Sequence, residues 1–129
     1  MAITGLHHVV IRVNDLDEAI ESYTKLGLEL TKTLETPGIG KQAVFRFPNG
    51  TFLELVAPTD PDSPVGKAIA SRGEGVHTIS IEMKDFEDSV STLADNGTRL
   101  IRSEDLPNVA FVHPKETHGV LLQLNRENS

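Results

Sequence analysis

Two stretches of the chain repeat the same pattern of hydrophobic and polar positions. Residues 5–27 read GLHHVVIRVNDLDEAIESYTKLG, and residues 75–97 read GVHTISIEMKDFEDSVSTLADNG. In each stretch an alternating, β-branched segment typical of a strand is followed by apolar residues at helical spacing. The two stretches align without a gap, which indicates one structural unit used twice.

The rest of each half predicts three further strands, because short apolar segments are separated by Gly, Pro and Asn. Gly27 and Gly97 are expected to end the two helices, and Asn14 or Asp15 is expected to cap the first. The predicted elements are Leu6–Val13, a helix up to Leu26, Leu28–Leu34, Gln42–Phe47, Thr51–Val56, a short helix near Pro64–Ser71, Val76–Met83, the helix Phe86–Asn96, Arg99–Ile101, Ala110–Val112 and Val120–Leu124.

Each half therefore has the order βαβββ. We predict one domain over residues 1–129, with a first module at 5–57, a connector at 58–74 and a second module at 75–125. Two such modules must bury their apolar faces against a partner layer. The predicted fold class is α+β, with tandem βαβββ modules forming a curved, half-open mixed sheet and the helices outside.

Side-chain alternation along the strands identifies the residues that face away from the helices. Four polar positions share that face on equivalent strands, namely His8, Glu54, Thr78 and Gln123. Their convergence predicts a ligand-binding groove. The alternative is structural, with His8 as a hydrogen-bonding residue near a strand end and Glu54 as a charge on an edge strand.

Composition excludes several classes of partner. The formal charge of −7 disfavours nucleic acid and anionic membranes, since phosphates would be repelled, and 5% aromatic residues supply no base-stacking platform. No apolar segment is long enough to cross a bilayer, and the first residues, MAITGLHHVV, do not resemble a signal peptide. With no cysteine in the chain, we expect a cytoplasmic protein.

Three segments carry a family resemblance: HHVVIRVNDLDEAIESY, LELVAPTDPDSPVGKAIASRGEGVH and FVHPKETHGVLLQL. They resemble the vicinal-oxygen-chelate superfamily, which includes glyoxalase I, bleomycin-resistance proteins, extradiol dioxygenases and methylmalonyl-CoA epimerases. Among these families the segments look most like the epimerases. The resemblance implies a small carbonyl or acyl-CoA substrate and a homodimer.

The resemblance also implies a divalent metal ion, cobalt, nickel, manganese or zinc, in the groove. His8 and Glu54 match the family's first two ligands, whereas Thr78 and Gln123 replace a His and a Glu. The implied metal set is His8, Glu54 and Gln123, and a metal-free site is the alternative, since neutral ligands hold cations weakly.

The second acid/base residue of the epimerases has no counterpart here. That Glu aligns near Gly38, where the sequence has no carboxylate. Epimerisation by two bases needs a proton-transfer group on each side of the carbon, and Gln123 cannot take a proton. The standard two-base mechanism is therefore not supported by this sequence.

Two cations are candidate contacts for an anionic substrate. Lys115, in the HPKETHG segment, is expected to meet a phosphate of an acyl-CoA. Arg12 is expected to anchor a carboxylate, with pairing to Glu82 as the alternative.

The sequence thus predicts an isomerase- or lyase-type enzyme of the glyoxalase superfamily. His8 and Glu54 would be catalytic, and the substrate would contact Arg12, Thr78, Gln123 and Lys115. The alternative is a metal-free small-molecule binding or resistance protein without turnover. An extradiol dioxygenase is disfavoured, because Thr78 and Gln123 break the iron site of two His and one carboxylate that it needs.

Overall fold

The computed structural model describes residues 2–127. The elements, in chain order, are β1 Ile3–Arg12, α1 Leu16–Lys25, β2 Lys32–Thr36, β3 Gly40–Arg46, β4 Phe52–Ala57, α2 Pro64–Arg72, β5 Gly75–Met83, α3 Phe86–Asp95, β6 Leu100–Ile101, β7 Val109–Val112 and β8 Leu122–Arg126. A single 3-10 turn lies at Pro114–Glu116. Each half therefore contains the predicted βαβββ order.

Strand pairing is the same in the two halves. β1 pairs in parallel with β4, and β5 pairs in parallel with β8, while the hairpin partners β3–β4 and β7–β8 are antiparallel. The register repeats as well, because Val10 lies opposite Glu54 and Ser80 lies opposite Gln123. The predicted α+β class with two βαβββ repeats and mixed strand directions is confirmed.

The described residues divide into two compact units. The N-terminal unit is His8–His77, and the C-terminal unit combines the residues up to His7 with those from Thr78 onward. The strand β1 contributes to both, since the division falls between His7 and His8. We describe each unit by itself.

In the N-terminal unit, α1 covers one face of β1, β3 and β4. Its core consists of Val13, Ala19, Ala43, Phe45, Leu55 and Ala57, with Ile11, Leu16, Ile20, Tyr23, Leu28 and Leu53 packed around them. Among them, Ile11, Val13, Leu53 and Leu55 alternate along their strands with His8 and Glu54, as the sequence pattern predicts. Asp15 caps α1 by accepting a hydrogen bond from the Glu18 backbone N–H, and Gly27 follows the helix with φ of 101°.

The opposite face of the same strands is partly covered by α2, the predicted short helix, whose packing on this face the pattern did not predict. Val10 and Val56 are buried there against Val65 of α2. Ser63 begins this helix by accepting a hydrogen bond from the Gly66 N–H. The connector therefore occupies part of the face that the sequence assigned to an open groove.

In the C-terminal unit, α3 covers the equivalent face of its own strands. The core there is formed by Met83, Phe86, Val90, Ala110, Val112 and Leu124. Phe86 anchors the first turn of α3 and is 1% exposed. Burying a side chain of this size contributes roughly 1.5–3 kcal/mol to stability.

The predicted starts of β2 and β8 are wrong. β2 begins at Lys32 rather than Leu28, because the Leu28 N–H bonds back to the Tyr23 carbonyl and completes the end of α1. β2 then continues to Thr36, so only residues 37–39 connect it to β3. β8 begins at Leu122 rather than Val120, since the preceding residues complete the turn after Pro114.

No helix among residues 2–127 is long and apolar enough to span a membrane.

Gly40, at the start of β3, packs closely against the backbone of β4, and substitution of this residue tests that packing. A methyl group at Gly40 would lie 2.2 Å from the carbonyl oxygen of Ala57, and its φ is 137°. Gly50 has a φ of 90° but nothing within 4 Å of such a methyl group. We expect Gly50→Ala to cost about 1 kcal/mol from backbone strain alone. Gly40→Ala should cost more than about 3 kcal/mol, since strain and overlap combine. Urea unfolding measures both, and equal losses would contradict this packing.

Candidate active site

Glu54 is the central ionisable group on the polar face of the N-terminal unit. It lies in β4, between core residues Leu53 and Leu55, and is half-buried. Its Oε2 accepts a hydrogen bond of 3.1 Å from Nε2 of Gln42 on the neighbouring strand β3. The Thr36 hydroxyl donates to Oε1 of Gln42, at 2.5 Å. Because the Gln42 oxygen is taken by Thr36, its NH₂ group is directed at Glu54.

Burial raises the pKa of the Glu54 carboxyl above its ordinary value. Loss of hydration is the largest cause, since it penalises the charged form. The Gln42 hydrogen bond and the positive charge of Lys32 act in the opposite direction but do not cancel it. A carboxylate with this balance holds a proton closer to neutral pH than an exposed Glu does.

His8 shares this face with Glu54 on the adjacent strand. The register places His8 opposite Phe52 and Val10 opposite Glu54, so His8 and Glu54 are diagonal neighbours. The imidazole lies flat on the Phe52 ring, with 4.4 Å between ring centroids and 6° between planes. The stacking fixes the ring orientation. The structure thus brings the two predicted catalytic residues to neighbouring positions of one unit.

The corresponding face of the C-terminal unit is polar but carries no charge at the positions equivalent to His8 and Glu54, which are Thr78 and Gln123. Thr78 is buried, and Ser80 is fully buried with a hydroxyl that has no hydrogen-bond partner among the described residues. Nε2 of Gln123 donates to Oδ1 of Asn125 at 2.7 Å, and Nδ2 of Asn125 lies 3.3 Å from Nδ1 of His7. This chain of contacts orients the Gln123 amide.

Arg12 is tied to the end of the connector. Its Nε donates to the Gly73 carbonyl and its Nη1 to the Val76 carbonyl, both at 2.7 Å. Burial, and then the charge of Arg72, lowers the pKa of Arg12. Glu82, in the C-terminal unit, accepts a hydrogen bond of 3.2 Å from the Thr4 hydroxyl, and the predicted carboxylate contact of Arg12 stays a prediction.

His77, the remaining His of the GVHT segment, is an unpredicted buried polar group. Its Nδ1 is buried and has no hydrogen-bond partner within the described residues. Burial lowers the pKa of His77, and the neighbouring charges of Arg12 and Arg72 lower it further. Both effects favour the neutral imidazole.

Lys115 lies on the exposed 3-10 turn of the C-terminal unit. Its backbone N–H donates to Nδ1 of His113 at 3.1 Å, which fixes the turn. The contact between its ammonium group and a phosphate stays a prediction.

The described residues do not fit a resident divalent metal ion. Nowhere in residues 2–127 do three or more His, Cys, Asp or Glu side chains group to hold one. Glu54 already accepts from Gln42, and the amide of Gln123 donates to Asn125, so the implied set holds one imidazole, one engaged carboxylate and one neutral amide. The chemistry below is therefore assigned to side chains alone.

Comparison with known proteins identifies the family. The model of the Glyoxalase/Bleomycin resistance protein/Dioxygenase superfamily matches residues 6–111. Methylmalonyl-CoA epimerase, mitochondrial, from Homo sapiens is 32% identical over 128 residues, covering 94% of this chain and 73% of the human protein. An ethylmalonyl-CoA/methylmalonyl-CoA epimerase from Cereibacter sphaeroides is 29% identical, covering 96% of this chain and 98% of that protein. The chain belongs to the glyoxalase/bleomycin resistance protein/dioxygenase superfamily.

Solved structures agree with this assignment. Methylmalonyl-CoA epimerase from Mycobacterium tuberculosis has a TM-score of 0.85 at 32% identity, covering 99% of this chain and 91% of that chain. A Streptomyces coelicolor methylmalonyl-CoA epimerase in complex with 2-nitronate-propionyl-CoA has a TM-score of 0.83 at 32% identity, covering 99% of this chain and all of that chain. These relatives support an epimerase-like function.

Sequence reasoning missed Gln42 and Thr36. Gln42 is the one uncharged polar side chain in the strand GKQAVFR, and it has the same parity as Val44, which lies opposite Glu54. The alternation of side chains along this strand could therefore have identified Gln42 as a neighbour of Glu54. Thr36 was not identifiable, because its role depends on the β2–β3 register, and β2 was placed too early in the chain.

The raised pKa of Glu54 predicts a pH-dependent stability difference. The folded chain holds this proton more tightly than the unfolded chain does, so the stability contribution of Glu54 falls as pH rises from the ordinary Glu value through the folded pKa. Glu54→Gln removes this loss. The difference in melting temperature between Glu54→Gln and the parent should therefore grow in favour of the variant as pH rises. In acid, where both side chains are neutral, this difference should be small.

The control for this measurement is Glu29→Gln, on the exposed segment after α1. Calorimetry from acid to neutral pH then compares the melting temperatures of the two variants, which remove the same charge from a half-buried and an exposed position. A Glu54→Gln gain that shrinks with rising pH would show that the Glu54 carboxylate is stabilised, rather than penalised, by folding.

Proposed function

We propose that the protein is an isomerase-type enzyme that moves a proton at the carbon next to the carbonyl of an acyl-CoA thioester or a related small carbonyl compound. The observation that carries this proposal is the desolvated Glu54 carboxyl, oriented by Gln42 and adjacent to His8 on one sheet face. The similarity to methylmalonyl-CoA epimerases supplies the substrate class.

Glu54 is the proposed base. Its carboxylate takes the α-proton, and the C–H electron pair moves towards the thioester carbonyl to give an enolate. General base catalysis is most effective when the pKa of the base is near the working pH, and burial raises the pKa of Glu54 in that direction. The neutral Glu54 carboxylic acid then returns the proton to the α-carbon.

Gln42 and His8 have supporting roles in this proposal. The amide of Gln42 donates to one carboxylate oxygen, which leaves the other oxygen of Glu54 for the substrate. The imidazole of His8, fixed against Phe52, is the proposed donor to the thioester oxygen, where negative charge develops. Thr78, Gln123 and Lys115 remain proposed substrate contacts.

A single ionisable base has a consequence for stereochemistry. When the same Glu54 removes and returns the proton, return to the original face restores the starting configuration. Exchange of the α-hydrogen with solvent should then outpace inversion of the α-carbon. This ratio separates the proposed chemistry from a two-base epimerase, in which each proton transfer inverts the centre.

The alternative, a binding protein without turnover, is favoured by the neutral side chains Thr78 and Gln123, which replace ionisable family residues. Acyl-CoA binding with no α-hydrogen exchange would support this alternative and contradict the enzymatic proposal.

The test is exchange of the α-hydrogen of methylmalonyl-CoA and propionyl-CoA in D₂O, followed by mass spectrometry. We expect Glu54→Gln to lower the exchange rate by about 10²–10⁴-fold, the usual contribution of a positioned acid/base group. Glu29→Gln is the matched control and should exchange at the parent rate. The proposal is contradicted if Glu54→Gln matches the parent, or if the parent exchanges neither substrate.

Gln42→Met tests the pH dependence of the same reaction. Because the Gln42 hydrogen bond lowers the pKa of Glu54, its loss should raise that pKa further. The acidic limb of kcat/KM against pH should therefore move to higher pH, while the rate at high pH is retained. A limb that moves to lower pH would exclude Glu54 as the titrating base.

A further inference from the structure

A second cleft, of about 460 Å³, lies in the N-terminal unit between the start of α1, the end of β1 and the turn before β5. Its lining does not include Glu54, Gln42 or His8, so it is separate from the proposed reaction site. Its chemistry is that of a small-molecule site with one cation on the floor, carboxylates at the mouth and an apolar wall.

The cation on the floor is Arg12. This side chain is only 6% exposed, and no carboxylate of the described N-terminal unit lies within ion-pair distance of it. Nε and Nη1 each donate to a backbone carbonyl, whereas Nη2 has no hydrogen-bond partner among the described residues. A methyl group at Gly75, which also lines the cleft, would lie 4.0 Å from Nη2.

A buried charge is costly unless it is paired. The two N–H groups of Nη2 remain for a ligand, and a guanidinium N–H donates a charge-assisted hydrogen bond to a carboxylate oxygen. The floor of the cleft therefore selects an oxoanion.

The mouth of the cleft selects against a multiply charged anion. Asp15, Glu18 and Glu74 line it, and all three are exposed. Backbone N–H groups hold two of these carboxylates in place, since Asp15 accepts from Glu18 at 3.0 Å and Glu74 accepts from Asn14 at 2.8 Å. Three negative groups would repel a phosphate and attract an ammonium group.

The remaining wall is apolar and is formed by Ile11, Val13, Ala19 and the Tyr23 ring. We propose that this cleft binds a small zwitterion of the amino-acid class, with the ligand carboxylate on Arg12, its ammonium group towards Glu18, Asp15 and Glu74, and an apolar side chain on this wall. This inference does not depend on the reaction proposed for Glu54.

The test is titration of the full chain with L-leucine, isocaproate, isoamylamine and inorganic phosphate, followed by the amide signals of Asn14 and Gly75 in ¹H–¹⁵N NMR spectra. Isocaproate lacks the ammonium group of leucine, and isoamylamine lacks its carboxylate. We expect leucine to saturate both signals, and each analogue to bind at least about tenfold more weakly, the effect of one charge-assisted hydrogen bond.

Two variants locate the ammonium group. Glu18→Gln should weaken leucine binding without weakening isocaproate binding, whereas Glu21→Gln, on the same helix but outside the cleft, should change neither. Arg12→Gln should abolish binding of both acids. Arg12 also donates to the Gly73 and Val76 carbonyls, and Arg12→Gln loses both contacts. If this variant does not fold, the comparison of leucine binding by Glu18→Gln and Glu21→Gln tests the proposal. Preference for phosphate, no response to leucine, or equal effects of Glu18→Gln and Glu21→Gln would overturn the proposal.

Discussion

The parallel pairing of β1 with β4 is the constraint on which the candidate site depends. A one-residue slip in this register would send Glu54 to the face covered by α1 and would bring Leu53 and Leu55 out of the core. The packing of Leu55 beside Ala43 and Phe45 therefore fixes the direction of Glu54. The core positions and the direction of the Glu54 carboxyl are set by the same alternation along one strand.

The same pairing in β5 and β8 gives the second half an equivalent polar position that is not ionisable. Gln123 lies opposite Ser80 as Glu54 lies opposite Val10, yet its amide donates to Asn125 and holds no proton to transfer. The chain thus keeps the superfamily's architecture, while only the N-terminal unit has an ionisable side chain at this equivalent position. This asymmetry is the reason why a single-base reaction is proposed, and that proposal depends on the half-buried environment of Glu54.

Much of this arrangement could be predicted from the sequence, because the repeat and the side-chain alternation are both local signals. The face assignments of Ile11, Leu53 and Leu55 are confirmed by their place in the core. The start of β2 was not predictable, since Leu28 has the same apolar character in a strand as in the end of a helix. The covering of Val10 and Val56 by α2 also depends on tertiary packing, which periodicity does not encode. The carbonyl partners of Arg12 lie more than sixty residues away and were invisible for the same reason.

The most direct measurement is a ¹³C NMR titration of the Glu54 side-chain carboxyl in the full chain, assigned by the loss of its signal in Glu54→Gln. We predict a midpoint clearly above the ordinary Glu value of about 4.3, because lost hydration outweighs the Gln42 hydrogen bond. A midpoint at or below that value would mean that the carboxylate is comfortably solvated or paired, and Glu54 would no longer be a credible base near neutral pH.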